Sequence, residues 1–229
     1  MSNVAILVQS SDDYAFCWPE WLYWFNRYWP NDLDWPVYFV SHEKKCEFPE
    51  VAPFGPEVTP VPVGKVDFSE QLIRGAEAVP CNHILYWQVD YWPDGMVWDS
   101  QFAELYGLFK REKMDQLRVS FRSQNPALAL TATPLDVWGR PVWKLADDSA
   151  MLVNHQPAFW RKAALLKTLV SGETAYQHEN NGTHRMKNTG FSAYQYILQW
   201  YCHGVSNGQY VDAYESMQGL KKCLDHQSS

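Results

Sequence analysis

The stretch from Ile84 to Trp92, ILYWQVDYW, decides the fold class. Its first six residues form a short and almost wholly apolar run, which is typical of a strand buried on both faces of a parallel sheet. Asp90 follows at once, at the point where the chain leaves the strand and where functional side chains concentrate. The stretch therefore predicts a buried strand over 84–89 that opens into an acidic loop of an α/β protein.

The residues before this stretch extend the same pattern. Val4–Val8 is an apolar run that predicts a first strand, residues 18–30 carry aromatic side chains at helical spacing, and 36–41 predicts a second strand. This β-α-β order indicates parallel strands joined by a right-handed crossover. The same reasoning predicts strands near 58–63 and 116–120 and helices capped by Ser69 and Asp99.

The texture of the sequence changes after Phe121. Residues 124–157 are rich in Pro, Thr and Gly, with alternating apolar positions that predict antiparallel hairpins. Pro157 is expected to open a helix whose inner face carries Phe159, Ala163, Leu166 and Val170, and 191–201 predicts another helix. With no repeat or linker, we expect one domain over 1–229 with two halves, 1–120 and 121–220.

Composition excludes several classes of protein. The chain of 229 residues has a formal net charge of −7, which argues against a nucleic-acid partner because such binding needs a basic footprint. Five scattered cysteines without CxxC spacing favour reduced thiols, and no apolar stretch reaches the roughly 20 residues of a membrane helix. We therefore expect a cytoplasmic protein without an integral membrane segment. Walker, GxGxxG, GxSxG and HExxH strings are absent, which disfavours the enzyme classes that carry them.

Acidic residues follow two of the predicted strands. Asp12 and Asp13 come after the first strand, and Asp90 and Asp94 come after the ILYWQV run. In open α/β sheets, ligands bind beyond the carboxyl ends of the strands, where two carboxylates can hold a divalent cation. Alternatively, Asp12 caps a turn and Asp94 opens the Asp94-Gly95 turn, which is the preferred interpretation of Asp94. For Asp90 the functional and structural interpretations are equally weighted.

Two later segments also carry candidate side chains. Asn154-His155-Gln156 precedes the helix expected at Pro157, where backbone N–H groups favour an anion and His155 is a candidate ligand of a metal or phosphate. The alternative, which the sequence slightly favours, is that Asn154 caps the helix and His155 is solvated. Arg161, one turn into that helix, could approach phosphate oxygens, although such residues are more often solvated. The segment 172–179 holds two carboxylates that could act as a base, unless Glu173 simply occupies the first turn of a helix.

Four stretches taken together resemble a family of bacterial and viral glycosyltransferase-like proteins with a GT-A-type fold. They cover most of the chain from residue 4 to about 180. The stretches are ILVQSSDDYAFCWPEWLYWFNRYWP, ILYWQVDYW, FAELYGLFKREKMDQLRV and NHQPAFWRKAALLKTLVSGETAYQHE.

The resemblance implies transfer of a sugar from a nucleotide donor, with a UDP-sugar favoured, to a glycan acceptor in capsular or cell-surface polysaccharide synthesis. It implies a GT-A-like domain with a mostly parallel central sheet, flanking helices and a small antiparallel element. In such a domain 1–120 would be the nucleotide-binding half and 121–220 the acceptor or catalytic half. It places Asp90 near the diphosphate and a divalent metal, Mn²⁺ or Mg²⁺, with His155 as a second candidate ligand. The other implied positions are Asp12, Asp13 and Tyr14 beside the base and ribose, Gln156, Trp160 and Arg161 toward the donor, and Glu173 and Glu179 as acidic positions, with Glu173 as the base of an inverting reaction.

One departure from the family pattern creates a rival hypothesis. Gln88 and Val89 precede Asp90, so a single carboxylate stands where the family has an acidic pair. The rival is a catalytically inactive domain of the same fold that binds a glycan or nucleotide. A nucleotidyltransferase is a weaker alternative, because it would carry a glycine-rich loop with a basic residue after the first strand, and Ser10-Ser11-Asp12-Asp13 is not such a loop.

Overall fold

A computed structural model describes residues 3–30, 32–46, 57–95, 97–120, 129–206 and 208–211. A short 3₁₀ helix over Asp12–Cys17 follows the first strand. The helices are α1 (Trp18–Tyr28), α2 (Phe68–Ala78), α3 (Asp99–Arg111), α4 (Lys162–Thr168) and α5 (Ala175–Met186). The strands are β1 (Val4–Gln9), β2 (Val37–Ser41), β3 (Val58–Pro62), β4 (His83–Gln88), β5 (Tyr91–Pro93), β6 (Gln116–Ser120), β7 (Leu130–Val137), β8 (Arg140–Leu145), β9 (Ala158–Arg161), β10 (Ala193–Ile197), β11 (Tyr201–His203), β12 (Val205–Ser206) and β13 (Gln209–Tyr210).

Nine strands form one central sheet in the order β3-β2-β1-β4-β9-β6-β10-β8-β7. All of them point the same way except β8 and β9, which run antiparallel to their neighbours. Strand β1 lies between β2 and β4 and is parallel to both, so the strand order reverses there. The predicted single α/β domain with a mostly parallel sheet and small antiparallel elements is confirmed.

Alternation along β1 builds a separate core on each face of the sheet. Val4, Ile6 and Val8 face a core shared with α1 and α3, whereas Ala5 and Leu7 face a core shared with α2 and α4. Successive side chains of a strand point to opposite faces, so a strand covered on both sides must be apolar throughout. The continuous runs of β1 and β4 follow from this burial.

Much of the aromatic content is structural. The rings of Trp21, Phe25, Trp87 and Trp200 are almost fully buried between β4 and the helices α1 and α3. Trp21 and Phe25 stack at 4.8 Å, and Trp87 meets Trp200 edge to face at 4.7 Å. Such offset and edge-to-face pairs stabilise a packed core beyond the area they bury.

The helix predicted to open at Pro157 is wrong in its first turn. Residues 158–161 form β9, an antiparallel strand inserted between β4 and β6, and only Lys162–Thr168 is helical. Phe159 is fully buried in the sheet, whereas Val170 is 48% exposed rather than part of an inner stripe. Because no helix begins at Pro157, the anion site expected at its N-terminus lacks its dipole.

The helix predicted over 191–201 is also wrong. Residues 193–197 form β10, parallel to β6, and 201–203 form β11, which pairs with β5. Residues 175–186 form the helix α5, and a reciprocal capping box between Thr174 and Gln177 defines its start. Glu173 therefore precedes this helix instead of occupying its first turn.

Other predictions hold with shifted boundaries. The strands expected near 4–8, 36–41, 58–63, 84–89 and 116–120 are confirmed as β1, β2, β3, β4 and β6. Asp67 rather than Ser69 caps α2, and Asp99 is the first residue of α3 rather than its cap. Hairpin β7–β8 confirms antiparallel structure after residue 128, while 121–128 and the polar tail lie outside the described residues. No described helix is long and apolar enough to cross a membrane. The division into two functional halves stays a prediction.

Candidate functional site

A cleft of about 200 Å³ opens at the carboxyl ends of β1 and β4. These neighbouring strands are in register, with Gln9 opposite Gln88, and the strand order reverses beside them. Such a switch point is where open α/β sheets bind ligands. The cleft is lined by Gln9, Ser10, Ser11, Tyr14, Phe68, Gln71, Gln88, Val89, Asp90 and Ala175.

Asp90 is the single acidic side chain among these lining residues. Its Oδ1 atom is buried and has no hydrogen-bond partner among the described residues. Burial raises the pKa of the carboxyl to about 7, although the backbone N–H groups of Asp90 and Tyr91 pull it down. Asp90 therefore brings to the cleft lining a carboxyl that has one unmet acceptor and a raised pKa.

A glycine fixes the backbone that carries Asp90. The Gly204 N–H donates to the Asp90 carbonyl at 2.9 Å, which joins the end of β11 to the loop after β4. A Cβ atom at position 204 would overlap the Trp92 ring. The chain can approach this ring only because residue 204 has no side chain.

The three residues predicted beside the nucleotide separate in space. Tyr14 lines the cleft, and its pKa is raised by burial and by the nearby Asp90 charge. The Asp12 carboxylate accepts from the backbone N–H groups of His42, Glu43 and Lys44 at 3.1 to 3.3 Å, so it fixes the loop after β2. Asp13 is exposed and does not line the cleft. Of the three, only Tyr14 reaches the cleft.

Helix α2 supplies a wall that the sequence analysis missed. Gln71 is 3% exposed, and its Nε2 donates to the Ser10 carbonyl at 2.5 Å. Gln9 Nε2 lies 3.2 Å from the carbonyl of Phe68, the other cleft residue of this helix. The available signal was a glutamine on the apolar stripe of an amphipathic helix, since a buried polar side chain needs partners.

His155 lies behind the cleft in a buried polar chain. Its Nδ1 is 3.1 Å from the Tyr86 hydroxyl, and its Nε2 is 3.2 Å from His178 Nδ1. Burial, with His178 nearby, lowers the His155 pKa to about 3, so the ring is neutral. The ring of Phe68 packs against it at 4.6 Å. Both ring nitrogens therefore have partners inside the protein, and the cleft itself lies on the Phe68 side.

The two carboxylates of the segment 172–179 also have internal partners. Glu173 accepts from Arg185 at 2.7 and 2.8 Å and from Asn181 at 2.9 Å, and the Arg185 hydrogen bond lowers its pKa. Glu179 Oε1 accepts from the His155 backbone N–H at 3.0 Å, while burial raises its pKa. Neither residue lines the cleft, although Ala175, the first residue of α5, does.

Gln156, Trp160 and Arg161 are not part of the cleft lining. Gln156 Oε1 lies 3.4 Å from Asn154 Nδ2. Trp160 is 1% exposed, and Arg161 pairs with Asp115 while lying opposite His83, at the amino end of β4. Since the cleft is at the carboxyl end of β4, roughly 16 Å of strand separates it from Arg161.

The cleft can hold a divalent cation only if the bound substrate supplies some of the oxygen atoms that coordinate it. No group of three His, Cys, Asp or Glu side chains that could hold a metal exists in the described part of the chain. One orphaned carboxylate oxygen is nonetheless present at Asp90, and Mg²⁺ is commonly held by one or two carboxylates together with substrate phosphates. No Lys or Arg lines the cleft within the described ranges, so a diphosphate bound there would need a cation to offset its charge.

Comparison with known proteins gives a fold and no closer relative. No protein-family model matches the sequence, and no curated protein is similar to it in sequence. The structure resembles TarS residues 1–349 from S. aureus (TM-score 0.55, 9% identity), covering 86% of this chain and 59% of that one. It also resembles GalNAc-T7 with UDP, GalNAc and Mn²⁺ (TM-score 0.58, 7% identity), covering 90% of this chain and 45% of that one.

A third likeness covers both chains almost completely. CMP:2-keto-3-deoxy-manno-octonic acid synthetase in complex with CTP matches at a TM-score of 0.51 and 10% identity, over 99% of this chain and 100% of that one. The chain thus spans about half the length of the two transferase structures and the full length of the synthetase. At such low identity these likenesses establish the fold, and the predicted GT-A-like fold class is confirmed.

Proposed function

We propose that this chain is a glycosyltransferase that binds a nucleotide-sugar in the β1–β4 cleft and transfers the sugar to a glycan acceptor. The observation that carries the proposal is the orphaned Asp90 carboxylate at the strand-order switch point. The folds of TarS, for which a complex with UDP-GlcNAc is known, and of GalNAc-T7 support it. A UDP-sugar is the favoured donor, and capsular or cell-surface polysaccharide is the favoured product class.

Side chains after β1 and after β4 would contact different parts of the donor. Ser11 and Tyr14, after β1, offer hydroxyl groups and a ring to the base and ribose, while Asp90 lies toward the diphosphate. A Mn²⁺ or Mg²⁺ ion held by Asp90 and the diphosphate would neutralise charge on the departing nucleotide. Gln71 and Gln9 hold the α2 wall in place.

Inversion at the anomeric carbon is part of the proposal and needs one base. The acceptor oxygen would form a bond to the anomeric carbon as the bond to the diphosphate breaks, and the hydroxyl proton would pass to a carboxylate. The sequence predicts Glu173 for this role, but its oxygens are held by Arg185 and Asn181 and its pKa is lowered. Among the lining residues Asp90 is the one carboxyl, and burial raises its pKa to about 7. A cation bound to Asp90 would lower that pKa, so Asp90 would serve as the metal ligand or as the base but not as both.

Asp90→Asn separates the roles of metal ligand and base. Loss of Mn²⁺-dependent UDP binding in the variant would assign Asp90 to the metal. Intact UDP binding with loss of transfer would assign it to proton abstraction. Unchanged binding and unchanged transfer would remove Asp90 from the site.

A nucleotide panel tests the proposed function as a whole. The melting temperature should rise with UDP in the presence of Mn²⁺, because a ligand at about 100 times its Kd stabilises the folded state by about 2.7 kcal/mol. GDP, CMP and TDP serve as comparisons, and donor hydrolysis is followed as UDP release. Absence of any nucleotide effect would contradict the proposal, and glycan binding without hydrolysis would favour the inactive binding domain.

The synthetase likeness supplies a second candidate reaction, nucleotidyl transfer from CTP. The loop after β1, Ser10-Ser11-Asp12-Asp13, has no glycine or basic residue to cradle a triphosphate, and the cleft lining is acidic. These features favour glycosyl transfer. Stabilisation by CTP alone, with pyrophosphate release, would reverse the assignment.

A further inference from the structure

A second recess, of about 550 Å³, lies between the start of α3 and the turn of hairpin β7–β8. We call it the aromatic groove and define it by Trp98, Gln101, Trp138, Arg140, Gln199 and Trp200. Trp98 and Trp138 are 55% and 49% exposed, and their ring centroids are 6.4 Å apart at an angle of 54°. Two large, half-exposed rings therefore line one concave surface.

The aromatic groove opens on the same edge of the sheet as the cleft. Strand β10 is parallel to β6 and ends at Ile197, just before the groove residues Gln199 and Trp200. The hairpin turn at Trp138 lies at this edge too, because β8 begins there and runs antiparallel to β10. Strands β9 and β6 separate β4 from β10, so the ends of β4 and β10 are roughly 14 Å apart across the sheet. Helix α2 of the cleft and helix α3 of the groove pack on opposite faces of the sheet, so the two recesses meet only along its edge.

Trp138 has a left-handed backbone conformation that is unfavourable for a bulky side chain. It forms a two-residue turn with Gly139 between the paired residues Val137 and Arg140, and the two turn residues have φ of 54° and 73°. Turns of this kind favour Asn-Gly, and a bulky residue at positive φ costs about 1–2 kcal/mol. Because the ring stays half exposed, burial in this chain does not offset that cost. Strain of this sort concentrates at binding sites.

Polar groups border the two rings. Arg140 forms no ion pair with any described residue, and Gln199 is exposed beside it. Gln101 donates through Nε2 to the Tyr196 hydroxyl at 2.9 Å and does not use its Oε1 in that bond. The groove thus combines flat apolar faces with donors and an acceptor at their edges. Pyranose rings have the same mixture, with C–H groups on their faces and hydroxyls around their rims.

We propose that the aromatic groove binds a carbohydrate chain, with sugar rings stacked on Trp98 and Trp138 and their hydroxyl or acidic groups bonded to Arg140, Gln101 and Gln199. Its use as the acceptor site rests on the proposed function, since the groove shares the sheet edge with the cleft. Carbohydrate binding itself does not depend on activity.

Titration with three tetrasaccharides tests this proposal. The probes are chitotetraose, cellotetraose and tetragalacturonic acid, followed by tryptophan emission and by calorimetry on the whole chain without nucleotide. At least one should bind, and Trp98→Ala should weaken it by at least about tenfold, as expected for an aromatic anchor. Tyr176→Ala is the matched control, because Tyr176 is 76% exposed on α5 and does not line the groove.

Trp138→Asn separates binding from folding. Asn-Gly is the preferred pair for this turn, so the variant should melt no lower than the parent chain while losing oligosaccharide affinity. Binding by none of the three probes at millimolar concentration, or equal binding by this variant, would overturn the proposal. A dimer of the parent chain that Trp138→Asn dissociates would overturn it as well and identify the groove as a self-association surface.

The outcomes for the two recesses are distinguishable. Oligosaccharide binding without any nucleotide binding supports the groove and contradicts the glycosyltransferase. Nucleotide binding without oligosaccharide binding supports the cleft and contradicts the groove.

Discussion

The cleft and the aromatic groove open on one edge of one sheet, but they are built differently. The cleft is walled by glutamines whose hydrogen bonds are used inside the protein, with one orphaned carboxylate among them. The groove presents two exposed rings and Arg140, which forms no ion pair with any of the residues that the structure describes. A perturbed carboxyl suits chemistry on a charged ligand, whereas exposed aromatic rings suit the binding of a sugar chain. Under the two proposals, the cleft would carry out the reaction and the groove would hold the carbohydrate chain.

The largest expected effect is on transfer. Asp90→Asn should lower the rate of sugar transfer about a thousandfold, because a positioned acid or base contributes on the order of 10² to 10⁴. Affinity for oligosaccharide in the groove should not change. The measurement is UDP release, with Asp34→Asn as the matched control, because Asp34 is exposed and lies outside the lining of both recesses. A variant of full activity would break the assignment of chemistry to the cleft.

The next effect is on stability against pH. Burial raises the Asp90 pKa from 3.8 to about 7, so the folded state favours the protonated carboxyl. Its stabilising contribution is full below pH 4 and is lost as the pH rises through 7, and partial exposure limits the loss to about 2 kcal/mol. The parent chain should therefore lose stability relative to Asp90→Asn between pH 4 and 7. Urea unfolding of both proteins across that range measures the difference.

The buried histidines change the free energy of unfolding with pH in the opposite direction, but their contribution is the same in the parent chain and in Asp90→Asn. Burial lowers the pKa of His155 to about 3 and of His178 to about 4, so their contribution is present above pH 6.5 and is lost on acidification. Both histidines are present in the parent chain and in the variant. A parallel pH dependence of the two proteins would show that Asp90 is not perturbed.

A change at Glu173 tests whether this residue has a structural role outside the cleft or takes part in the reaction. Glu173→Gln removes the ion pair with Arg185, whose side chains are 11% and 29% exposed, and should cost about 2 kcal/mol of stability. Transfer should fall by less than about tenfold, since other groups would do the chemistry. Glu70→Gln is the matched control, because its pair with Arg74 lies at the surface and should contribute below about 0.5 kcal/mol. A large loss of transfer at unchanged stability would restore Glu173 as the base.

The smallest effect concerns the groove. Trp138→Asn should raise the free energy of unfolding by about 1 kcal/mol by removing the bulky side chain from a left-handed turn. Trp98→Ala, where the backbone φ is −80°, should change it by less than about 0.5 kcal/mol. Urea titration of the two variants gives both values. Equal changes would mean that the turn at Trp138 stores no strain.

Sequence reasoning found the parts of the fold that are specified locally. The runs at Val4–Val8 and Ile84–Val89 are apolar because they are buried on both faces, and that pattern is visible without knowing their neighbours. Residues 158–161 are different. They belong to a stretch with helical spacing, but they form β9 because β4 and β6 supply pairing partners from distant parts of the chain. Tertiary pairing of this kind overrides local pattern.

The same limit applies to the sites. Asp90 is predicted because it follows the end of a predicted strand, whereas Tyr14 is predicted only through the resemblance to the glycosyltransferase-like family. Gln71 was missed because it lies inside a helix whose pattern indicates only packing. Trp98 and Trp138 come together across 40 positions of sequence through the β7–β8 hairpin, and no local motif announces such a pair.

The close approach of Gly204 to Trp92 also bears on how this cleft could be re-engineered. A side chain at position 204 would push the Trp92 ring aside. It would also shift the backbone of Asp90, because the Gly204 N–H donates to the Asp90 carbonyl. A library aimed at a new donor preference should therefore keep position 204 as glycine. Diversity is better placed at Ser11, Tyr14 and Gln88, which line the cleft and are only partly buried. Selection could then reshape the pocket while the carboxylate stays in register.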